Sequence, residues 1–292
     1  MKRFYLVFLL LAACMLPSEA QRVAAGAGIR HHCAADTVRI ERLLAGGLAS
    51  GLTGTNELVN YYAHQLLSTP YVAHTLEGDE ELLTINIDQL DCTTFVETLY
   101  ALTRSTRDGS DDWRTVARYL QNLRYRDGQR GDYSTRLHYF SDMLADNVRR
   151  GNLVEVTPQL PHASTTPVTL NFMTTHPGSY RSLKDDPAMV EKIRRLEAPY
   201  TDYRQPYLPK RWLRSDAVKA QLRTGDFVGL VTSRAGLDVS HLGILVKDRR
   251  GEVYLLDASM SGGKVMLEPK TLWRQLSKNK TNLGIRVYRI AE

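Results

Sequence analysis

Cysteine is scarce in this chain. Cys14, Cys33 and Cys92 are the three in 292 residues, too few for the disulfide framework of a small secreted scaffold. Long hydrophobic runs are missing as well. The longest, Phe4 to Ala13, falls well short of the roughly 18 apolar residues of a membrane span, so no transmembrane span is expected. No internal repeat and no low-complexity tract appears, which excludes a solenoid and a disordered linker protein. Neither sign of charge is in great excess, with a net +6 spread over the chain. That balance makes nucleic acid a poor partner and suits an anionic polymer such as the bacterial wall better. His31-His32-Cys33 lacks the second ligand pair of a zinc site and reads as a terminal linker. No metal and no cofactor is expected.

What is present is an ordinary globular composition, 43% hydrophobic and 24% charged, enough for one large core or two modest ones. The first twenty residues stand apart. Lys2 and Arg3 precede the apolar run, Pro17 breaks it, and Ser18-Glu19-Ala20 offers small residues where a signal peptidase cuts. Residues 1–20 are therefore expected to be a signal peptide, with export to the periplasm and residues 21–292 forming a single domain. Leu11-Ala12-Ala13-Cys14 also fits a lipobox, in which Cys14 would carry a lipid anchor instead. With Cys14 removed, a Cys33–Cys92 bridge stays open as an alternative to two free thiols.

Thr37 to Leu44 and Glu57 to Leu67 read as amphipathic helices around a glycine-rich turn, Gly46 to Gly54. Phe95, Leu99 and Leu102 place a helix after Asp91, an N-cap residue type, so that Cys92 is its first residue. Further helices are expected from Asp111-Asp112-Trp113 to about Tyr125, over Phe140 to Arg149, and from Asp186-Pro187 to Glu197. Strand-like runs hold Val156, Val168, Leu170 and Phe172, and a tyrosine- and proline-rich loop spans Pro199 to Pro209. The last third is mostly strand: Phe227 to Thr232, His241 to Val246, Val253 to Ala258, Lys264 to Leu267 and Leu283 to Ile290, with a helix over Pro269 to Leu276. Helices first and an antiparallel sheet later imply an α+β fold with an N-terminal helical elaboration.

A thiol at a helix N-terminus meets unpaired N–H groups and the positive end of the macrodipole, which favour thiolate. His241 opens a strand, and the turn at Asp248-Arg249-Arg250-Gly251 sets Asp257 within one step of register opposite it. Opposed side chains lie roughly 4.5–5.5 Å apart at Cβ. A carboxylate there fixes the imidazole tautomer and leaves the other ring nitrogen for Cys92. This is a thiol–imidazole–carboxylate arrangement for nucleophilic catalysis.

Thr69-Pro70-Tyr71-Val72, Asp91-Cys92, His241-Leu242-Gly243-Ile244 and Asp257-Ala258-Ser259 together resemble the NlpC-type papain-like amidases. The wider pattern resembles one branch of them, the N-acetylmuramoyl-L-alanine amidase-like proteins of Gram-negative bacteria. It includes Arg136-Leu137-His138-Tyr139-Phe140-Ser141-Asp142, Asn171-Phe172-Met173, His176-Pro177 and Gly236 to His241, and spans residues 57–290. The resemblance implies a papain-like fold, with Cys92 as nucleophile, His241 as base, Asp257 as third polar residue and Tyr71 assisting the oxyanion. It implies hydrolysis of the amide between the lactyl group of N-acetylmuramic acid and L-alanine, in small peptidoglycan fragments such as 1,6-anhydro-muropeptides. Arg136, His138, Tyr139, Asp142 and His176 are candidates for substrate contact. Two departures stand out: His74 replaces a glycine usual in relatives, and some twenty residues separate Tyr71 from Cys92. A stem-peptide endopeptidase cutting between D-glutamate and the diamino acid, and an inactive wall-binding protein, are the competing readings.

Overall fold

A computed structural model describes residues 28–33 and 35–292. The expected signal peptide and the lipobox at Cys14 lie outside the described residues. The N-terminal half is helical. β1 (Ile29–His31) leads into α1 (Asp36–Ala49) and α2 (Thr55–Gln65), and β2 (Leu83–Ile85) pairs in parallel with β1. Then come α3 (Cys92–Arg107), α4 (Trp113–Arg124) and α5 (Phe140–Arg149). The second half holds β3 (Leu153–Glu155), β4 (Ser164–Val168), α6 (Phe172–Thr175), α7 (Pro187–Glu197), β5 (Tyr203–Pro209), α8 (Asp216–Gln221) and β6 (Phe227–Thr232). It closes with β7 (Val239–Lys247), β8 (Val253–Ser259), β9 (Lys264–Thr271), α9 (Leu272–Ser277) and β10 (Asn282–Ile290). The strands form an antiparallel eight-stranded sheet in the order β4-β5-β10-β6-β7-β8-β9, with β3 beside β10. The architecture is α+β, as the segregation of helices and strands predicts.

The sheet has two covered faces because its central strands are apolar on both. Phe227, Leu242, Ile244, Leu256 and Ala258 join the core under α1 to α5. Val228, Leu230, Leu245 and Leu255 pack the other way, against α8 and α9. The helix that Cys92 opens is enclosed more fully than its Phe95, Leu99, Leu102 periodicity foretells. Val96, Glu97, Thr98, Tyr100 and Ala101 are buried too, since α3 touches α1, α2 and α4 besides β7 and β8.

Four local readings are corrected. Gly46 and Gly47 continue α1 rather than opening a turn, and Gly47 lets the Tyr62 hydroxyl of α2 approach where a Cβ would collide with it. The Pro199–Pro209 stretch is not all loop, for its second half is β5, and its neighbour β4 tolerates Pro167 at the margin of the sheet. Phe172 lies in α6, not in a strand. Pro269 belongs to β9, the outermost strand on the other side, so the helix begins only at Leu272.

Candidate active site

Asp91 caps α3 with a side-chain oxygen that accepts from the Thr94 N–H at 2.8 Å, while the Thr94 hydroxyl accepts from the Asp91 N–H at 2.9 Å. Such reciprocal caps are worth about 1 kcal/mol. Here the cap also fixes where the helix starts. Cys92 becomes its first residue, half-buried, its thiol beside the free N–H groups of the first turn. Cys33 is a free thiol elsewhere, donating to Asp88 at 3.3 Å, and no Cys33–Cys92 bridge forms.

His241 reaches this helix end from β7. Ser240 is the extra residue of a bulge against β6, between the pairs Leu230–His241 and Val231–Val239. Bulges re-aim the side chains beside them. The β7–β8 ladder pairs Ile244 with Leu256, which carried on sets Gly243 opposite Asp257 and His241 two residues further along the same face. Asp257 therefore leans diagonally, and its carboxylate accepts from His241 Nε2. Gly243 leaves the room for it, since a Cβ there would stand 3.0 Å from Asp257 Cβ and 2.8 Å from the Leu256 carbonyl oxygen. Asp257 is 1% exposed, and its second carboxylate oxygen meets no partner among the described residues, so the imidazole is the main compensation for its charge. Burial works against protonating His241. The Asp257 hydrogen bond and the contact with the Cys92 thiol outweigh it and push the ring up to about 10. With Nε2 engaged, Nδ1 is the nitrogen left for the thiol.

Tyr71 arrives at the same place despite the long insertion. The Val72 N–H donates to the Leu90 carbonyl at 3.2 Å and the Leu90 N–H to the Pro70 carbonyl at 3.0 Å, which closes residues 73–89 into a loop. Tyr71 is thereby set near Cys92 and Asp91: burial raises its phenol first, and the charges of those two residues raise it further. His74, in the loop, has φ 63°, the left-handed conformation that glycine adopts without strain.

A cavity of about 240 Å³ opens beside Cys92 and His241. Two of the five expected substrate contacts line it. His138 donates from Nε2 to the Tyr133 carbonyl, 2.8 Å away; burial, reinforced by the Arg136 charge, lowers it to about 3, so it is neutral. The Tyr139 hydroxyl donates to Glu197 at 2.7 Å and accepts from the Met173 N–H at 2.9 Å. The other three lie elsewhere. Arg136 is buried over the Tyr133 ring and pairs with Glu77 of the insertion at 2.8 Å. Asp142 pairs with Arg126 and accepts from the Tyr200 hydroxyl at 3.1 Å. His176 is exposed and stacks on Phe172, 4.3 Å between ring centres. These three hold local structure rather than the cavity wall.

Several further residues line the cavity. Asp238 accepts from the Ser141 and Val239 N–H groups and anchors α5 beside the histidine strand. Glu97, on α3, is buried in an ion pair with Arg124 at 2.8 Å. Tyr100, Tyr180 and Tyr288 line the cavity as well. Asp238 stands in a quoted motif, but Glu97, Tyr100 and Tyr288 read as core positions and carry no local signal.

Residues 61–285 match a family profile described as AmiA-like, N-acetylmuramoyl-L-alanine amidase-like. Among solved structures, an N-acetylmuramoyl-L-alanine amidase from Bacteroides uniformis ATCC 8492 is 34% identical with a TM-score of 0.77, the match covering 82% of this chain and 99% of that one. A Bacteroides fragilis protein solved under a provisional xylanase label is 39% identical with a TM-score of 0.73, over 80% of this chain and 100% of that one. A Legionella pneumophila str. Philadelphia 1 protein, 22% identical over 88% and 94% of the two chains with a TM-score of 0.67, shares the fold. None of the curated proteins matches the chain.

Proposed function

The chain belongs to the AmiA-like, N-acetylmuramoyl-L-alanine amidase-like family, and from that premise we propose that it hydrolyses the lactyl–L-alanine amide of muropeptides through a papain-like thiol. The observation that carries the reading is His241, bound by Asp257 at Nε2, kept protonated, and coupled to a thiol at a helix N-terminus. An imidazolium that has taken the thiol's proton, paired with the thiolate, is the state in which sulfur is nucleophilic at neutral pH. Cys92 Sγ attacks the lactyl carbonyl carbon. The Cys92 N–H, with the Tyr71 hydroxyl as a further donor, receives the developing oxyanion. His241 then gives its proton to the departing L-alanine nitrogen as the C–N bond breaks, and afterwards takes one from the water that clears the thioester. The cavity's limited volume suits small fragments, such as 1,6-anhydro-muropeptides, better than intact wall. Lys2, Arg3 and the apolar run to Ala13 support action in the periplasm.

Cys92→Ala tests this directly. Digests of defined muropeptides, followed by mass spectrometry, are expected to release free L-alanyl peptide with the native protein and none with the variant, whose unfolding midpoint stays within a few degrees. Near-native turnover by the variant sinks the thiol mechanism. Cleavage after D-glutamate, with the lactyl amide intact, moves the protein to the endopeptidase class.

A further inference from the structure

Two tyrosines lining the cavity carry buried hydroxyls that neither the fold nor the chemistry above uses. Cys92, Val96 and Tyr100 recur every fourth residue and all line it, so its wall follows one face of α3 for two turns, about 12 Å. Tyr100 and Tyr288 are 1% and 3% exposed, and neither hydroxyl meets a hydrogen-bond partner among the described residues. Packing accounts for the rings. Tyr288 stacks on Phe227 at 5.2 Å and leans on Phe140 at 5.4 Å, contacts that phenylalanine would make equally well. The hydroxyls themselves only cost stability unless something else pairs with them.

The chemistry of the walls narrows what that is. Among the described residues no lysine or arginine lines the cavity. Glu97 faces it but is tied to Arg124, the Asp238 carboxylate is taken up by backbone N–H groups, and His138 is neutral. The His241 imidazolium, the cation on this wall, is already held by Asp257, so a carboxylate placed here would find no free cation, which disfavours the acidic stem peptide. Burial raises the Tyr288 phenol, and the Glu97 and Cys92 charges raise it further, so it stays a donor. Val96, Leu137 and Met143 supply apolar wall. We propose that the cavity is the subsite for the acetamido arm of the muramoyl sugar: its methyl meets the apolar wall and its carbonyl accepts from the Tyr288 hydroxyl, with Tyr100 as the second phenol. This rests on the amidase reading and identifies which end of that substrate the cavity selects.

The test uses binding as well as turnover, so that the two ideas fail separately. Calorimetry on the otherwise native Cys92→Ala protein compares an N-acetylmuramoyl-L-alanyl peptide with its N-deacetylated counterpart. The acetylated ligand is expected to bind at least tenfold tighter, and adding Tyr288→Phe or Tyr100→Phe removes roughly tenfold of that preference per hydroxyl. In the protein with Cys92 intact, Tyr288→Phe lowers kcat/KM for the acetylated substrate, leaves iodoacetamide labelling of Cys92 unchanged, and holds or raises the thermal midpoint. Equal binding of the two ligands, or a preference that survives both phenylalanine variants, overturns the subsite. A thermal midpoint several degrees lower in Tyr288→Phe also overturns it, because the hydroxyl is then structural. Absence of hydrolysis with the acetyl preference intact sinks the amidase reading alone.

Discussion

His241 owes its charge to two neighbours that burial would otherwise defeat. Its folded-state pKa, about 10, lies above the roughly 6.5 of an unfolded histidine. The stabilisation from its contacts is therefore fully present below about pH 6.5 and fades as pH climbs through about 10. In the proposed mechanism activity follows the same proton, with the imidazolium as donor to the leaving amine, so kcat/KM is expected to fall on the alkaline side near pH 10. Asp257→Asn keeps a hydrogen-bond partner but removes the negative charge. Turnover should then drop without vanishing, and the alkaline limb should move toward neutrality, with Asp257→Ala slower still. A pH–rate profile of each variant checks this; an alkaline limb that stays in place takes Asp257 out of the mechanism.

The β7–β8 hairpin shows how an element delivers two residues to one point. Gly243 stands opposite Asp257, and its missing Cβ is the space into which the carboxylate leans. Gly243→Ala puts a methyl 2.8 Å from the Leu256 carbonyl oxygen. The expected outcome is a loss of about 1–3 kcal/mol from overpacking, seen in a denaturant titration, and a fall in turnover larger than that stability loss explains. Unchanged kinetics would mean that the His241–Asp257 contact does not depend on this space. The same hairpin marks what could be read beforehand. Asp248-Arg249-Arg250-Gly251 and the flanking apolar alternation placed both residues on neighbouring strands, although the ladder sets Asp257 opposite Gly243, two residues from His241, rather than within one step of facing it, and Asp91 with its apolar periodicity placed Cys92 at the start of a helix. The Ser240 bulge escaped notice because one extra residue leaves no compositional trace. Arg136, Asp142 and His176 lie off the cavity wall for a related reason. Their residue types suit sugar binding, but their partners Glu77, Arg126 and Phe172 come from tertiary contact that spacing does not reveal. Tyr288 went unnoticed because an aromatic in an apolar strand announces packing, not a hydroxyl in search of a partner.

At the scale of the whole molecule, the N-terminal helices are bound into the body that holds the site. Ile40 and Leu44 of α1 and Leu58 and Tyr62 of α2 share one core with Phe95 and Leu99 behind Cys92. Polar ties cross the same boundary: Asn56 donates to Asp226 at 2.9 Å and to the Thr224 carbonyl at 3.1 Å, and Tyr62 bonds Thr106 of α3. On the far side of α3, Arg104 donates to the Ala291 carbonyl at 3.1 Å, and the buried Arg286 of β10 forks onto Glu155 and donates to Ser141 of α5. Such contacts couple the helical and sheet halves, so one cooperative unfolding transition is expected from circular dichroism and tyrosine fluorescence alike. Deleting residues 28–66 should strip the outer cover of α3, expose Phe95 and Leu99, and yield a chain without a cooperative transition or measurable turnover. A truncated protein that unfolded cooperatively and still cleaved muropeptides would show that α1 and α2 are an appendage, and that the catalytic body is complete from Thr69 onward.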